Sequence, residues 1–408
     1  MKHLSLVMAM FLVLNSHAQL PKLHIQIVSH NEPTDNLNQP LKYATAKAKI
    51  LQMAEIVRNK NAKWNLQTSD GFVFGARQDE INTGGNIFKT LGMAPYSQFV
   101  QIDPRNKNFL GRNIADQWYL IDSLGGHPSH IVGGFIYYIC QPSTLTPDWW
   151  VYQDSITGLV YGNRIKFNLL SGAGSAGGSV MHCNDLYDFG VFKPDTIDNF
   201  YFHNSNRSLW SIGTGCAPLL DSLSDEQAII DLIKGQIDSI SQGLWPANKF
   251  YNTRIMTNQR EYGPLFFSKI ERVIDSLNQY ANGILEWATI GESYEAFQLW
   301  RQSSGEEYSM WRCGETITSA HQAFESPENV FSVFPNPSSG QLNLEWGKSM
   351  EHSEIEVYNS LGEKVSQADC SGKTSLQLQL NQLSNGLYIV YLRSDETIVS
   401  WSKVVFEK

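Results

Sequence analysis

The side chains best suited to moving protons or holding an ion fall in the first quarter of the chain. His30 and Glu32 stand two positions apart in the segment SHNEP, with Asn31 between them. An imidazole and a carboxylate at that spacing can serve as acid and base or as metal ligands. Asp70, in TSDGFVFG, and Asp103, in QIDPRNKN, each follow a later strand-like run. Two carboxylates facing one another across a pocket are what glycosidases and metal hydrolases use. Either Asp alone is also the type of residue that forms a turn or caps a helix. His30, Glu32, Asp70 and Asp103 are the catalytic candidates, and hydrolysis with a carboxylate as general acid or base is the chemistry they imply. Asn31 and Arg105 are placed as substrate-binding groups, Arg105 orienting an anionic unit such as a uronic acid.

Other segments add to this set or drop out of it. His182, in the Gly-rich stretch GGSVMHCND, is placed on a loop that reaches over the pocket. Trp287 and Glu292, in EWATIGE, would supply a ring for sugar stacking and a further carboxylate. His127 and His130, in GGHPSHIVGG, precede a strand and so fall at its other end, away from chemistry. SGAGSAGGS lacks the Lys and the helix start of a phosphate loop. No G-x-S-x-G elbow is present. Aromatic clusters such as PDWWVY suit the apolar faces of sugars, although most such rings must be core. No metal-ligand set is assigned, and no cofactor is identified.

These groups need elements to hold them. From Leu23 onward, short β-like runs alternate with amphipathic helical stretches: HIQIVSH, then YATAKAKILQMAEIVRNKNA, KWNLQTSD, FVQID, NIADQWYLIDSLG and HIVGGFIYY. The rhythm returns with SDEQAIIDLIKGQIDSISQG, where Ser224 and Gln227 resemble a capping box. FYNTRIMT, GPLFFSKIERVIDSLNQYANG and a last strand over ILEWATIGE follow. The alternation predicts an α/β main domain, a (β/α) barrel first and a doubly wound sheet second. Catalytic groups of such a barrel collect after the C-terminal ends of its strands, where His30, Asp70 and Asp103 fall.

At 408 residues, with 42% hydrophobic and 17% charged, the chain has room for more than one folded domain. With 31 basic and 40 acidic groups the net charge is -9, and no basic stripe offers itself to phosphates, so nucleic acid is excluded as a partner. Residues 1–18 have the form of an export signal: Lys2 and His3, then LSLVMAMFLVL, then Ser16-His17-Ala18. No later stretch is long and apolar enough to span a membrane. Five cysteines without a CxxC exclude a zinc site, and Cys183 with Cys216 is the favoured bridge. The expected divisions are a signal at 1–18, the main domain at 19–325, a linker at 326–332 and a C-terminal module at 333–408.

That last module begins at VFPNPSSGQLNLEW, where Pro, Asn, Ser and Gly interrupt the pattern before strand-like alternation resumes. SEIEVYNSLGEKV, SLQLQLNQLSNGLYIVYL and TIVSWSKVVFEK continue it, predicting a small antiparallel β-sandwich. Its core is expected from Val333, Leu342, Leu344, Ile355, Val357, Leu387, Ile389, Val390 and Val404. The order FPNPSSGQLNL, IEVYNSLGEKV, LNQLSNGLYIVYL and SKVVFEK, within Val330 to Lys408, resembles the type A C-terminal sorting domain of the type IX secretion system. The resemblance implies recognition by the outer-membrane translocon and removal of the tail. It also implies a Gram-negative host and a mature protein that crosses the periplasm to be released or held at the cell surface. An immunoglobulin-like accessory domain is the alternative.

From Leu23 to Tyr308, the strand order and polar strand ends resemble a glycoside hydrolase or polysaccharide deacetylase type barrel. Deacetylases of that class hold a divalent metal with an Asp after the first strand and two His after the third. Here those places read SHNEP and DPRNKN, where Arg105 and Lys107 bind no metal. The leading expectation is an exported protein whose barrel hydrolyses or binds polysaccharide. The alternative is a non-catalytic glycan-binding or scaffold protein built on a decayed barrel.

Overall fold

The strand β1 (Leu23–His30) is buried at every residue, as a parallel strand covered on both faces must be. It belongs to a computed structural model that describes residues 20–31, 35–106, 111–135, 148–172, 188–196, 199–216, 219–221, 224–280, 283–312, 331–347, 349–359, 363–394 and 397–407. The chain divides into two units, Met1–Glu315 and Thr316–Lys408.

In the first unit β1 is followed by α1 (Pro40–Asn59), β2 (Trp64–Thr68), α2 (Asp70–Thr83), α3 (Ile87–Leu91), β3 (Val100–Pro104), α4 (Ile114–Ser123) and β4 (Ile131–Phe135). Six short strands come next: β5 (Ile156–Thr157), β6 (Arg164–Ile165), β7 (Leu169–Gly172), β8 (Asp188–Phe192), β9 (Trp210–Ile212) and β10 (Leu219–Leu220). The unit ends with α5 (Glu226–Ser241), β11 (Tyr251–Asn258), α6 (Pro264–Tyr280), β12 (Leu285–Trp287), α7 (Ile290–Ser304) and β13 (Ser309–Arg312).

One sheet runs β10-β11-β1-β2-β3, all parallel, with β12 also beside β1. A second runs β13-β8-β9-β7-β4, in which β4, β7 and β9 are parallel and β8 and β13 antiparallel to their neighbours. The expected α/β alternation is present. Among the described residues, however, the ladders form separate sheets rather than one closed barrel. A single parallel bridge, Arg105 to Gly133, links the end of β3 to β4.

Helices α1, α2, α3, α5 and α6 cover one face of the first sheet, while α7 packs Ile290 and Phe297 with Val28 and Met256 of the other. Helix α1 buries Tyr43, Ala46, Ile50, Met53 and Val57, a spacing of three and four that makes a single apolar stripe. Helix α5 buries Ile229, Ile230, Ile233, Ile237 and Ile240. Each fully buried Ile contributes about 1.5–3 kcal/mol over exposure, more than the few tenths that a β-branched residue costs a helix. The cap of α5 is Asp225, which accepts from the Gln227 amide; Ser224 instead bonds Asp221 and the Leu219 carbonyl. The expected strand over ILEWATIGE stops at Trp287. Thr289 and Glu292 form a reciprocal capping box there and start α7.

The second unit contains two antiparallel sheets. β14 (Ser332–Phe334), β15 (Gln341–Glu345) and β18 (Ser375–Gln379) form one, ordered β14-β15-β18. β16 (Ser353–Asn359), β17 (Lys364–Asp369), β19 (Gly386–Ser394) and β20 (Thr397–Phe406) form the other, ordered β17-β16-β19-β20. Leu342, Leu344 and Leu378 from the first meet Ile355, Val357, Val390, Leu392 and Val404 from the second in one core. Leu387 and Ile389 do not join that core: Tyr388, Val390 and Leu392 point inward. Apolar residues at consecutive positions in LYIVYL leave the inward face undecided by periodicity, and one residue of slip exchanges the faces.

Candidate functional site

Each strand of the parallel sheet alternates, and the two faces differ in chemistry. Leu23, Ile25, Ile27, Trp64, Leu66, Val100, Ile102, Tyr251 and Ile255 enter the core beneath the helices. The opposite positions carry Gln26, Asn65, Gln67, Asp103, Asn252 and Arg254, every one fully buried. Polar groups withdrawn from water cost stability unless they bond one another. Here most of them do.

Asp103 is at the centre. Its Oδ1 accepts from Gln101 Nε2 at 2.5 Å and Ser129 Oγ at 2.6 Å, and its Oδ2 from Asn65 Nδ2 at 2.9 Å. The amide oxygens of those partners face the start of α7. Ile290 N–H donates to Asn65 Oδ1 at 2.9 Å and Gly291 N–H to Gln101 Oε1 at 3.0 Å. The positive end of α7 thereby reaches the carboxylate through two amide side chains. Burial raises the Asp103 pKa, while donors from Ser129, Gln101, Asn65 and Gln67 pull against that rise. On β11, Arg254 donates from Nε to Gln26 Oε1 at 2.8 Å and from Nη2 to the Ile212 carbonyl at 3.3 Å. Burial lowers its guanidinium to about 9, opposed by the attraction of Asp103.

At the C-terminal ends of the strands, this interior meets the rim. His30 Nε2 lies 2.6 Å from Gln67 Oε1, and Gln67 Nε2 donates to Ser171 Oγ at 3.0 Å. An acceptor opposite Nε2 places the imidazole proton on that nitrogen. Gln67 is also the cross-strand partner of Asp103, so it stands between the rim imidazole and the buried carboxylate. Asn31 accepts on its backbone oxygen from Arg105 Nη1 and on Oδ1 from the Ser69 amide. His30, Asn31 and Arg105 are therefore brought together on one rim, all largely buried.

The glycines of HIVGGFIYY explain how two long side chains fit there. A Cβ on Gly133 would come within 2.6 Å of Gln67, and one on Gly134, at φ 62°, within 2.8 Å of Arg105. Paired glycines in a strand signal such a close approach.

The remaining candidates are placed elsewhere or outside the description. Asp70, the first residue of α2, is fully buried in a two-pronged ion pair with Arg112, at 2.9 and 2.8 Å. Trp287 pairs through its backbone with Ile25, five residues and about 16 Å along β1 from His30. Its indole donates to Asn278 Oδ1 at 2.7 Å. Glu292 caps α7 and pairs with Lys63 at 2.6 Å. Both residues thus lie toward the other end of the sheet from the rim. Glu32 and His182 fall outside the described residues, as does Cys183. Cys216 is disulfide-bonded. His130 bonds the Lys166 carbonyl and His127 is exposed. Trp149 of PDWWVY is buried against Phe200. No group of three or more His, Cys, Asp or Glu is arranged to hold a metal among the described residues.

Asn65, Gln67, Gln101, Ser129 and Arg254 were not singled out from sequence. The available signal was polar alternation, as in WNLQT and LHIQIVSH, within strands that helices cover on the apolar side. In such a sheet the polar positions must face an interior, not solvent.

Residues 332–407 match the family described as secretion system C-terminal sorting domain, the type IX tail. No curated protein sequence matches the chain. Among solved structures, the chain is similar to a protein assigned to the polysaccharide deacetylases from Mycobacterium smegmatis, at 9% identity and TM-score 0.41, covering 73% of this chain and 96% of that one. It is similar to 4-alpha-glucanotransferase from Thermococcus litoralis at 12% identity and TM-score 0.40, covering 67% of this chain and 38% of that one. Domains 3 and 4 of rat CD4 match at 19% identity and TM-score 0.16, covering 19% of this chain and 41% of that one. Likenesses at these TM-scores carry no inference about activity. No helix among the described residues is long and apolar enough to cross a membrane.

Proposed function

We propose that this chain is exported by the type IX secretion system to the cell surface or medium of a Gram-negative bacterium, and that its first unit hydrolyses polysaccharide there. The tail family supports the export route. The translocon is the partner that this tail implies. On this reading the two sheets of the first unit are arcs of a (β/α) barrel, and the polar face is its interior. His30 is the proton-transfer group, with Glu32 beside it in sequence. Arg105 and Asn31 position the substrate, and Gln67 holds the His30 imidazole.

The observation that carries the reading is the buried polar set at the strand ends, in which His30 bonds Gln67 and Asp103 is the cross-strand neighbour of Gln67. Burying a carboxylate and a guanidinium costs several kcal/mol that an apolar interior would avoid. Strand C-termini are where parallel α/β folds bind ligands. A second reading, glycan binding without turnover, is favoured by the engagement of two candidate carboxylates: Asp70 with Arg112, and Asp103 with its own donors. Screening the secreted chain against a polysaccharide panel for new reducing ends and for pull-down separates them. Turnover of at least one polysaccharide is expected. Binding without turnover selects the second reading, and neither overturns both.

A further inference from the structure

Beside the rim is a cleft of 390 Å³ between the first turns of α1 and the chain that leaves β11. Asn258 pairs with His30 across the sheet, so the following residues, Gln259 and Arg260, stand at the same end of β1 as the candidate site. The volume lies at the low end of ligand pockets, about 300–1,000 Å³.

Its charge runs against that of the chain. Lys42, Lys49 and Arg260 line it with one carboxylate, Asp35, which is ion-paired to Arg260. Lys42 and Lys49 make no hydrogen bond or ion pair among the described residues. Two uncompensated ammonium groups thus converge on one cleft of a protein whose net charge is -9. The wall includes a second polar feature: Gln259 is only 4% exposed, its Nε2 donates to the Ala46 carbonyl, and its Oε1 has no partner. Leu37 adds a buried apolar surface. Gln259 Oε1 is covered by the wall, so an occupant must supply an anion and an apolar face.

We infer that the cleft binds an acidic sugar unit, a hexuronate, carried on the polysaccharide handled at the rim. Its carboxylate meets Lys42 and Lys49, and the C–H face of the ring lies on Leu37. The inference rests on the polysaccharide reading above and adds a substrate class to it.

The test is fluorescence anisotropy on the full chain with a labelled oligohexuronate and an uncharged oligohexose of equal length, at low and high salt. The wild type should prefer the oligohexuronate, and that preference should shrink at high salt. The double variant Lys42→Gln/Lys49→Gln should bind it at least about five-fold more weakly. Unchanged binding in the double variant, or equal binding of the two oligosaccharides by the wild type, overturns the proposal. Because binding is read without turnover, lysine-dependent binding by a protein that releases no reducing ends would keep the cleft and remove the hydrolase reading.

Discussion

His24 provides a test of the buried polar face that does not depend on any substrate. It shares that face with Gln26 and His30 but has no partner for Nδ1, and it stacks on Phe250 with ring centroids 4.8 Å apart. Burial, with a smaller contribution from repulsion by Lys22, lowers its pKa from 6.5 to about 4. Above pH 6.5 the ring is neutral in both folded and unfolded chains. Between 6.5 and about 4, the unfolded chain takes a proton that the folded chain refuses, so stability falls as the pH falls. At about 1.4 kcal/mol per pKa unit the loss across this window is about 3 kcal/mol. Glu226, held below its usual range by Arg272, also loses a contribution on acidification, so the difference between two proteins is the readout. In urea melts from pH 7 to 4.5 followed by Trp fluorescence, His24→Phe should lose about 2–3 kcal/mol less than the wild type over that range. Parallel stability profiles for the two would refute the burial argument for this side of the sheet.

Three further expectations concern buried polar positions of the first unit. Asp103→Asn turns one acceptor into a donor facing donors and leaves Arg254 without its charge partner; a loss of about 3 kcal/mol in the urea transition is expected. Arg112→Ala removes the guanidinium paired with the Asp70 carboxylate, which is fully buried at the start of α2, and should cost a similar amount, about 3 kcal/mol, measured in the same way. Gly134→Ala places a Cβ at φ 62° and 2.8 Å from Arg105; a loss of about 1–2 kcal/mol is expected, with Arg105 displaced from the Asn31 carbonyl in a crystal structure.

Much of the scaffold was legible because it depends on local patterns. The 3.6-residue stripes of α1 and α5, the alternating strands of the second unit and the ordered motifs of its tail could each be read within a short window. What was not legible depended on distant neighbours. Asp70 looks the same in sequence whether it faces a substrate or Arg112, forty-two residues away. EWATIGE reads as a strand until the Thr289–Glu292 capping box is weighed, and that box removes Glu292 from the candidate pocket. Asn65 and Gln101 acquire meaning only when α7, 225 and 190 residues later, brings its first amides to them. The rim residues His30, Asn31 and Arg105 were named from their place after strands. That Gln67 stands between His30 and Asp103 depends on two registers, β1 with β2 and β2 with β3.

The most direct measurement is kcat/KM of His30→Gln on whichever polysaccharide the wild type turns over, taken beside its urea midpoint. If the rim imidazole moves the proton, kcat/KM falls at least about 100-fold while stability stays within about 1 kcal/mol of wild type. A variant that folds and hydrolyses as well as the wild type would contradict the assignment of the site to this end of the sheet.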